Sequence, residues 1–537
     1  MKISLAQINS TVGDLDYNYS LISTAAKEAL DKNVSILITP ELSLTGYPPE
    51  DLLLNSEFLE EVKKKLLLIA KENPQIIIII GHPLLQGKKL FNAASVLYKG
   101  KIFKSYKKQA LPNYGVFDEK RYFFPGETSL IFSHKKYKIG VLICEDVWDE
   151  LPVKDLIKND ADFIICINAS PYEINKNEYR IKNIQKKIKG SNTKLIYLNA
   201  VGGQDDLLFD GGSFILDPQI GLVLALPQFK TTNKIVDLTL LDHKKNNDKL
   251  SDANILFDGL VLALKDYLRK NSINKVFLGL SGGIDSAVVL CIAAKACKKI
   301  DIQTIMMPTK YTSKMSLDDA KKLANNIGVK YTIKRIDSLN NKINKMFEVD
   351  FSDYAPDVTE ENIQARIRGL LLMTYANKFK GVVLATSNKS ESAVGYATLY
   401  GDMVGGFSVL KDVPKTWVYK LAEYINEKEI IIPNRIITRA PSAELKDNQS
   451  DQDSLPEYEI LDGIIDLYLE NSQSPSEIIK KGYSALEVKK VVKLIHSSEF
   501  KRRQSAPGPK VTNKAFGKER RYPITNNFKI STKGNTE

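Results

Sequence analysis

A chain of 537 residues, 43% hydrophobic and 26% charged, is too long for one ordinary core and has the composition of a folded protein, not of a disordered or fibrous one, so at least two domains are expected. A net charge of +12 admits nucleic acid as a partner, but Lys, Asn and Ile are abundant throughout and basic charge suits phosphate-bearing small molecules equally well; no nucleic-acid partner is expected. Four scattered cysteines without a CxxC, and only four histidines, argue against a disulfide scaffold or a zinc cluster and leave the chemistry to Cys, Lys, Asp and Glu.

The chain opens on MKISLAQINS, whose alternation predicts a strand and which lacks the basic start and apolar run of a secretory signal. The run QIIIII at Gln75 is far shorter than the roughly 20 residues a membrane span needs. No membrane segment and a cytoplasmic location are expected.

Up to about Pro227 the pattern is short apolar strands between polar helices: KISLAQIN, SILITPEL, IIIIIGHP, KIGVLICEDVW, DFIICINAS, KLIYLNAV and SFILDPQIGLVLALP. VLYKGKIF and ILDPQIGLVLAL place Gly or Asp-Pro between strand-like runs and read as hairpins, so mixed sheets packed against helices are predicted. Glu41 ends one strand, Lys108 lies in KKQALPNYGVFDE, and Cys144 follows the strand KIGVLI. A thiol of ordinary pKa needs a base and a cation beside it to become a nucleophile, and these residues supply both. Read singly, Cys144 is more often a small buried hydrophobe, Glu41 can simply cap a turn, and Lys107 is as good a cation as Lys108.

PELSLTGYP, KQALPNYGVFDE and ICEDVW resemble the three signatures of the nitrilase, or carbon–nitrogen hydrolase, superfamily. The resemblance covers about residues 1 to 240 and implies an αββα sandwich, with Glu41 as base, Lys108 as the cation of the centre and Cys144 as nucleophile. By the same carry-over Glu119 is an extra acid that positions the lysine, and Tyr114, Phe117 and Ser170 shape a glutamine pocket.

The polar, irregular stretch NNDKLSD, residues 246–252, reads as a linker, giving domains 1–245 and 246–537. After it, strand KVFLGL, helix SAVVLCIAAKACKK, strand IQTIMMP, helix SLDDAKKLANNIG, strand KYTIKRI and strand GVVLATS alternate as βαβ units do, predicting a doubly wound parallel sheet. Ligands of such sheets bind at the carboxyl ends of the strands. There, Ser281, Gly282 and Gly283 follow a strand and Ser286 opens an apolar helix, an arrangement that offers free amides to a phosphate. The lysine of GxxxxGK[ST] is absent. After GVVLA come Thr386 and Glu391, the latter a hard oxygen ligand suited to Mg²⁺ or, read alone, an acid favoured by a helix start.

SGGIDS resembles the pyrophosphate loop of the ATP-pyrophosphatase superfamily, whose members adenylate a substrate group and release pyrophosphate. ENIQARIRG at Glu361, ATSNKSE at Ala385, GDMVGG at Gly401, PSAELKDNQSDQDSLPEYEILD at Pro441 and KRRQSAPGPKVTNKAFGKERRYPI at Lys501 are similar to NAD synthetases of the glutamine-dependent bacterial kind. The resemblance implies ATP as co-substrate, bound by Ser281, Gly282, Gly283, Asp285, Ser286 and Thr386. It also implies Mg²⁺ on Asp285 and Glu391, and deamido-NAD lined by Asn362, Arg366, Asp402 and Lys415. The basic tail KRRQ…GPK then belongs to the phosphate-rich substrate site. The residue pattern makes residues 340–357 and the segment after Ala440 look like mobile pieces closing over substrate. Ammonia from the first half would feed the second through a protein-walled tunnel, and a homo-oligomer is expected. The rival readings are another amidating ligase of the ATP-pyrophosphatase kind, a stand-alone nitrilase-type amidase, and a basic nucleic-acid-binding module.

Overall fold

Near-continuous apolar strands need cover on both faces, and the first half of the chain supplies it. The computed structural model describes residues 1–240, 251–447, 449–526 and 528. The chain divides into two units, Met1–Leu250 and Ser251–Glu537. The division expected between residues 245 and 246, and most of the linker 246–252, lie outside the described residues.

In the first unit, strands β1 (Lys2–Gln7), β2 (Ile36–Ile38), β3 (Ile77–Gln86), β4 (Lys89–Tyr98) and β5 (Lys101–Lys107) are followed by β6 (Leu130–His134), β7 (Tyr137–Ile143), β8 (Phe163–Asn168) and β9 (Lys194–Asn199). A small hairpin, β10 (Val201–Gln204) with β11 (Leu207–Asp210), precedes β12 (Phe214–Asp217), β13 (Gly221–Ala225) and β14 (Thr232–Asp237). They form two six-stranded mixed sheets, ordered β14-β1-β2-β3-β4-β5 and β13-β12-β9-β8-β7-β6. Both expected hairpins are present, β4 with β5 and β12 with β13.

Alternation decides which side chain goes where. Ile36, Ile38, Ile77 and Ile79 join Ile139, Val141, Ile165 and Ile167 in one core between the two sheets. Their neighbours Leu37, Ile78 and Ile80 point the other way, onto Ile22, Ala26 and Ala29 of the helix Leu15–Asp31 and Leu66 and Ile69 of the helix Ser56–Glu72. Val153, Leu156, Ile184 and Ile188, from helices Glu150–Lys158 and Lys176–Ile188, join the same core as the second sheet. The layers are therefore helix, sheet, sheet, helix.

In the second unit β15 (Val276–Gly279), β16 (Ile302–Met306), β17 (Lys330–Ile333), β18 (Val382–Ala385) and β19 (Phe407–Ser408) form an all-parallel sheet ordered β17-β16-β15-β18-β19. The order reverses between β15 and β18, and a crevice opens at such a switch point. The helix after β15 runs Ile284–Ala296 and is apolar all round, so it is buried nearly all round. It begins two residues before Ser286: Gly283 is the cap, and Ser286 Oγ donates back to the Gly283 carbonyl at 3.0 Å. A helical subdomain follows, with a core that includes Leu461, Ile464, Val488, Val491 and Ile495.

Candidate functional site

Two separate centres emerge, one in each unit. In the first, Glu41 lies three residues beyond β2, Lys108 directly beyond β5, Cys144 directly beyond β7 and Ala169 directly beyond β8. Strand ends of both sheets thus bring together residues far apart in sequence. Lys108 Nζ lies 2.7 Å from Glu41 Oε1 and 2.7 Å from Glu119 Oε1. The Asn92 amide donates to Glu41 Oε1 at 2.8 Å, the Ala169 N–H to Glu41 Oε2 at 2.9 Å, and the Tyr47 hydroxyl to Glu119 Oε1 at 2.9 Å. Glu41, Lys108 and Glu119 are all buried.

Burial works against the Lys108 charge, but Glu119 and Glu41 outweigh it and hold the ammonium well above its ordinary pKa. Burial pushes the Glu119 carboxyl up to about 7. Burial, reinforced by the charge of Glu41 and opposed by that of Lys108, pushes the Cys144 thiol well up. A thiol in this setting becomes a nucleophile only when a base takes its proton. Cys144 also has φ +44°, a left-handed conformation that costs a side-chain-bearing residue energy, on the sharp turn where β7 ends.

Asp146, absent from the sequence expectation, ties this turn to its neighbour. Its carboxylate accepts from Gln109 N at 3.0 Å, Ala110 N at 2.8 Å, Ile143 N at 3.0 Å and the Tyr106 hydroxyl at 2.8 Å. It joins the loop after Lys108 to the residue before Cys144. Among the expected pocket residues, Tyr114 donates to Glu145 Oε1 at 2.9 Å and meets Phe117 edge-on at 5.9 Å. Ser170 is buried, its hydroxyl accepting from Arg180 at 3.1 Å, while Arg180 Nη1 holds both oxygens of Asp210 at 2.8 Å.

In the second unit a cavity of about 270 Å³ opens at the switch point. Ser281, Gly283, Asp285, Ser286, Thr386, Glu391, Asp402 and Lys415 all line it. Gly282 does not; it makes the turn itself, at φ +82°, and a Cβ there would come within 2.6 Å of the Ser316 carbonyl oxygen. Ser281 Oγ accepts from the Gly283 N–H at 3.1 Å and sits 3.1 Å from Ser286 Oγ, which fixes the loop's shape.

Lys415 Nζ is 2.5 Å from Asp285 Oδ2 and 3.4 Å from Glu391 Oε1. Burial, then the charge of Asp285, pushes the Glu391 carboxyl up to about 8, which marks an acid pair short of positive charge. Two hard, half-buried carboxylates with one ammonium between them fit a divalent cation bound alongside phosphate. Among the described residues no larger cluster of His, Cys, Asp or Glu could hold a metal.

Residues 388–391 organise this centre. Asn388 donates to Asp285 Oδ1 at 2.8 Å, Lys389 turns inward to Glu470, Ser390 accepts from the Lys415 N–H at 2.8 Å, and Glu391 faces Lys415. Across the cavity, Arg439 donates to Ser316 Oγ at 2.8 Å and to the Gly282 carbonyl at 3.3 Å, and Glu444 accepts from Ser316 Oγ at 2.7 Å. Residues 440–445 line the cavity and residues 340–346 belong to the helix Asp337–Met346. Arg368, another lining residue, is lowered to about 10 by burial. Its sequence signal was its place in ENIQARIRG, two residues beyond Arg366.

Asn362 and Arg366 are held apart from that cavity's lining. Asn362 accepts from Thr398 Oγ1 at 2.7 Å, Arg366 donates to the Leu399 carbonyl at 3.2 Å, and Arg366 lines an apolar groove with Ile343, Ile363, Leu370 and Met373. The tail cations face protein groups: Lys501 donates to the carbonyls of Gly395 at 2.8 Å and Ala397 at 2.7 Å, Arg502 pairs with Glu499 at 2.8 Å, and Lys510 donates to the Thr512 carbonyl at 2.8 Å.

Comparison with known proteins gives matches to both units. The carbon–nitrogen hydrolase family model matches residues 2–243 and the NAD synthase family model residues 256–505. The glutamine-dependent NAD(+) synthetase of Acinetobacter baylyi is 45% identical, with 98% of this chain and 99% of that protein aligned. That of Aquifex aeolicus is 41% identical over 98% of this chain and 100% of its own length. Among solved structures, a glutamine-dependent NAD+ synthetase from Acinetobacter baumannii in complex with ADP superposes with a TM-score of 0.80 at 40% identity, covering 99% of each chain. One from Cytophaga hutchinsonii, at 22% identity, has a TM-score of 0.86 over 98% of each chain and speaks for the fold.

Proposed function

The chain belongs to the glutamine-dependent NAD(+) synthetases, and on that premise we propose how its two centres divide the reaction. The supporting observation is the 45% identity that runs through both units to a single relative of that name. Neither a stand-alone amidase nor a ligase without a hydrolase half accounts for it.

In the first centre Glu41 takes the Cys144 proton as glutamine's carboxamide arrives, and the thiolate attacks the carbonyl carbon. Lys108 stays cationic between Glu41 and Glu119, faces the developing oxyanion, and is joined by the backbone amide after Cys144. Glu41 returns the proton to the departing nitrogen and ammonia leaves. It then deprotonates a water, which opens the thioester to glutamate and restores the thiol. Glu119 and Tyr47 fix Lys108, while Tyr114, Phe117 and Ser170 shape the glutamine pocket.

In the second centre ATP binds through Ser281, Gly282, Gly283, Asp285, Ser286 and Thr386, where amides at the start of the helix Ile284–Ala296 face its phosphates. The nicotinate carboxylate of deamido-NAD attacks the α-phosphorus, pyrophosphate leaves, and ammonia attacks the acyl-adenylate to release AMP and a proton. Asp402 and Lys415 serve the dinucleotide and adenylate in the cavity, and Asn362 and Arg366 serve the dinucleotide from beside it. Asp285 and Glu391 would hold Mg²⁺, which when bound supplies charge neutralisation to the phosphates. Arg439 and Arg368 add cations to the same cavity. The protein works in the cytoplasm, a reading supported by its four free cysteines. It assembles as a homo-oligomer, a reading supported by the exposed Leu370 and Tyr400 beside the apolar groove.

The test is NAD formation from deamido-NAD and Mg-ATP, with glutamine or ammonium chloride, in the unaltered chain and in Cys144→Ala. Loss of the glutamine-driven reaction alone supports this division; no NAD from either nitrogen source in the unaltered chain would refute it.

A further inference from the structure

The tail that reads as substrate-binding in sequence is also tied into the fold. Residues 506–514 are fastened to the middle of the second unit. Ser408 N donates to the Pro507 carbonyl at 2.8 Å, Lys411 Nζ to the Ala506 carbonyl at 2.7 Å, and the N–H groups of Val511 and Thr512 both donate to Asp412 Oδ2 at 2.8 Å. Into this arrangement Lys389 inserts a fully buried ammonium. Its Nζ donates to Thr512 Oγ1 at 2.5 Å, to Glu470 Oε1 at 2.6 Å and to the Lys514 carbonyl at 3.0 Å, and pairs with Asp412 Oδ1 at 3.1 Å.

Every partner of Lys389 lies away from the cavity, whereas Glu391, two residues on, lines it and Asn388 bonds to Asp285 in its wall. Asn388, immediately before, accepts from the Glu391 N–H at 2.9 Å with one end of its amide and donates to Asp285 at 2.8 Å with the other. One side chain thus spans the two acids. Asn388 and Lys389 are both without solvent exposure, so neither has a second place to go.

We infer that Lys389 is a positioning residue of the synthetase centre: it anchors residues 388–391 to the C-terminal segment 506–514 and so fixes Asp285 and Glu391 relative to each other. The inference rests on the proposed role of these two acids. Groups that orient ligands from behind govern cation affinity without touching the cation, and losing one typically weakens it by roughly 10- to 100-fold. Removing the Lys389 charge leaves the buried Asp412 and the half-buried Glu470 without it, so they take up protons or move, and the turn follows. The tail is therefore a buttress of the nucleotide site.

The experiment measures ATP binding by calorimetry to the full chain, once with Mg²⁺ and once in EDTA, for the unaltered protein, Lys389→Met and Thr512→Val. Thr512→Val removes one contact of Lys389 on the tail side and the hydroxyl's own donation to Asp412 Oδ2, while both carboxylate partners of Lys389 stay, so it is the gentler change. The expected result is a loss of about tenfold in Mg-ATP affinity for Lys389→Met, a smaller loss in the same direction for Thr512→Val, and affinities in EDTA within about twofold of the unaltered chain. Affinities that fall equally with and without Mg²⁺ in Thr512→Val would reduce Lys389 to a general prop of the fold. Unchanged Mg-ATP binding in either variant overturns the inference outright. Should the unaltered chain bind no Mg-ATP, the proposed function itself falls and takes this inference with it.

Discussion

The side-chain amide of Asn92 donates to Glu41 Oε1 at 2.8 Å, the same oxygen that receives Lys108 Nζ. One oxygen of the base is thereby loaded with two donors while the other takes the Ala169 N–H, so the carboxylate is held against rotation. Asn92→Ala should lower glutamine hydrolysis by about 10- to 100-fold, the scale of one lost hydrogen bond to a charged group, and leave ammonia-driven NAD synthesis unchanged. Glutamate release and NAD formation in the same preparation check both halves. A variant with full glutaminase activity would show that Lys108 and Ala169 alone suffice.

Asp146 makes a different prediction because it touches neither thiol nor ammonium. It joins the backbone at Gln109 and Ala110 to that at Ile143. Asp146→Asn replaces one acceptor oxygen by a donor facing N–H groups, so the turns bearing Lys108 and Cys144 should separate. Misplacement of about 1 Å costs about 100-fold, so kcat for glutamine should drop by that order while ammonia-driven synthesis persists. The rate of Cys144 alkylation against pH should shift upward as Lys108 withdraws. An unshifted profile with reduced thermal stability would assign Asp146 to folding alone.

Gly282 is a steric prediction. Its φ of +82° lies where a Cβ is strained, and the Ser316 backbone fills the space a Cβ would take. Gly282→Ala should destabilise the second unit by more than 1 kcal/mol and lower ATP affinity, with glutamine hydrolysis intact. Thermal unfolding with and without ATP is the measurement.

His82 predicts a pH dependence unrelated to catalysis. It is buried on β3, where Nδ1 donates to the Pro83 carbonyl at 2.9 Å and Nε2 accepts from Ser95 Oγ at 2.7 Å, the tautomer those partners require. Burial lowers its pKa from 6.5 to about 4. Between those values the unfolded chain binds a proton that the folded chain does not, so stability falls as pH falls from 6.5 towards 4. The full effect is about 3 kcal/mol for a shift of this size. Urea unfolding of His82→Gln between pH 7 and pH 4.5 should have a shallower slope than the unaltered chain; parallel curves would mean that folded His82 is already charged.

Glu41 and Cys144 were legible because each follows an apolar strand that is visible in the sequence, Lys108 only because KQALPNYGVFDE resembles a family signature, and the loop at Ser281 because glycines between a strand and an apolar helix have few other uses. Asn92 and Asp146 were not. Asn92 looks like any polar residue in a half-buried strand, and its partner lies 51 residues away. Asp146 sits in a turn where acids are common, and only the closeness of β5 to β7 gives it four donors. The attachments of the tail were hidden for a related reason: Lys501, Arg502 and Lys510 read as a cationic surface, but carbonyl oxygens and Glu499 meet them in the fold. Charge in a sequence does not say which way it faces.

Residues 388–391 commit four successive side chains to four different parts of the second unit. A stretch wired in this way has no slack in length. Dropping or adding one residue would rotate all four contacts out of register at once, and no single compensating substitution could restore them. The exposed stretch around Val349 and Tyr354 carries no such constraint. Across descendants of this chain, insertions should collect there and be absent from the turn, so that two nearby segments of one domain keep time at different rates.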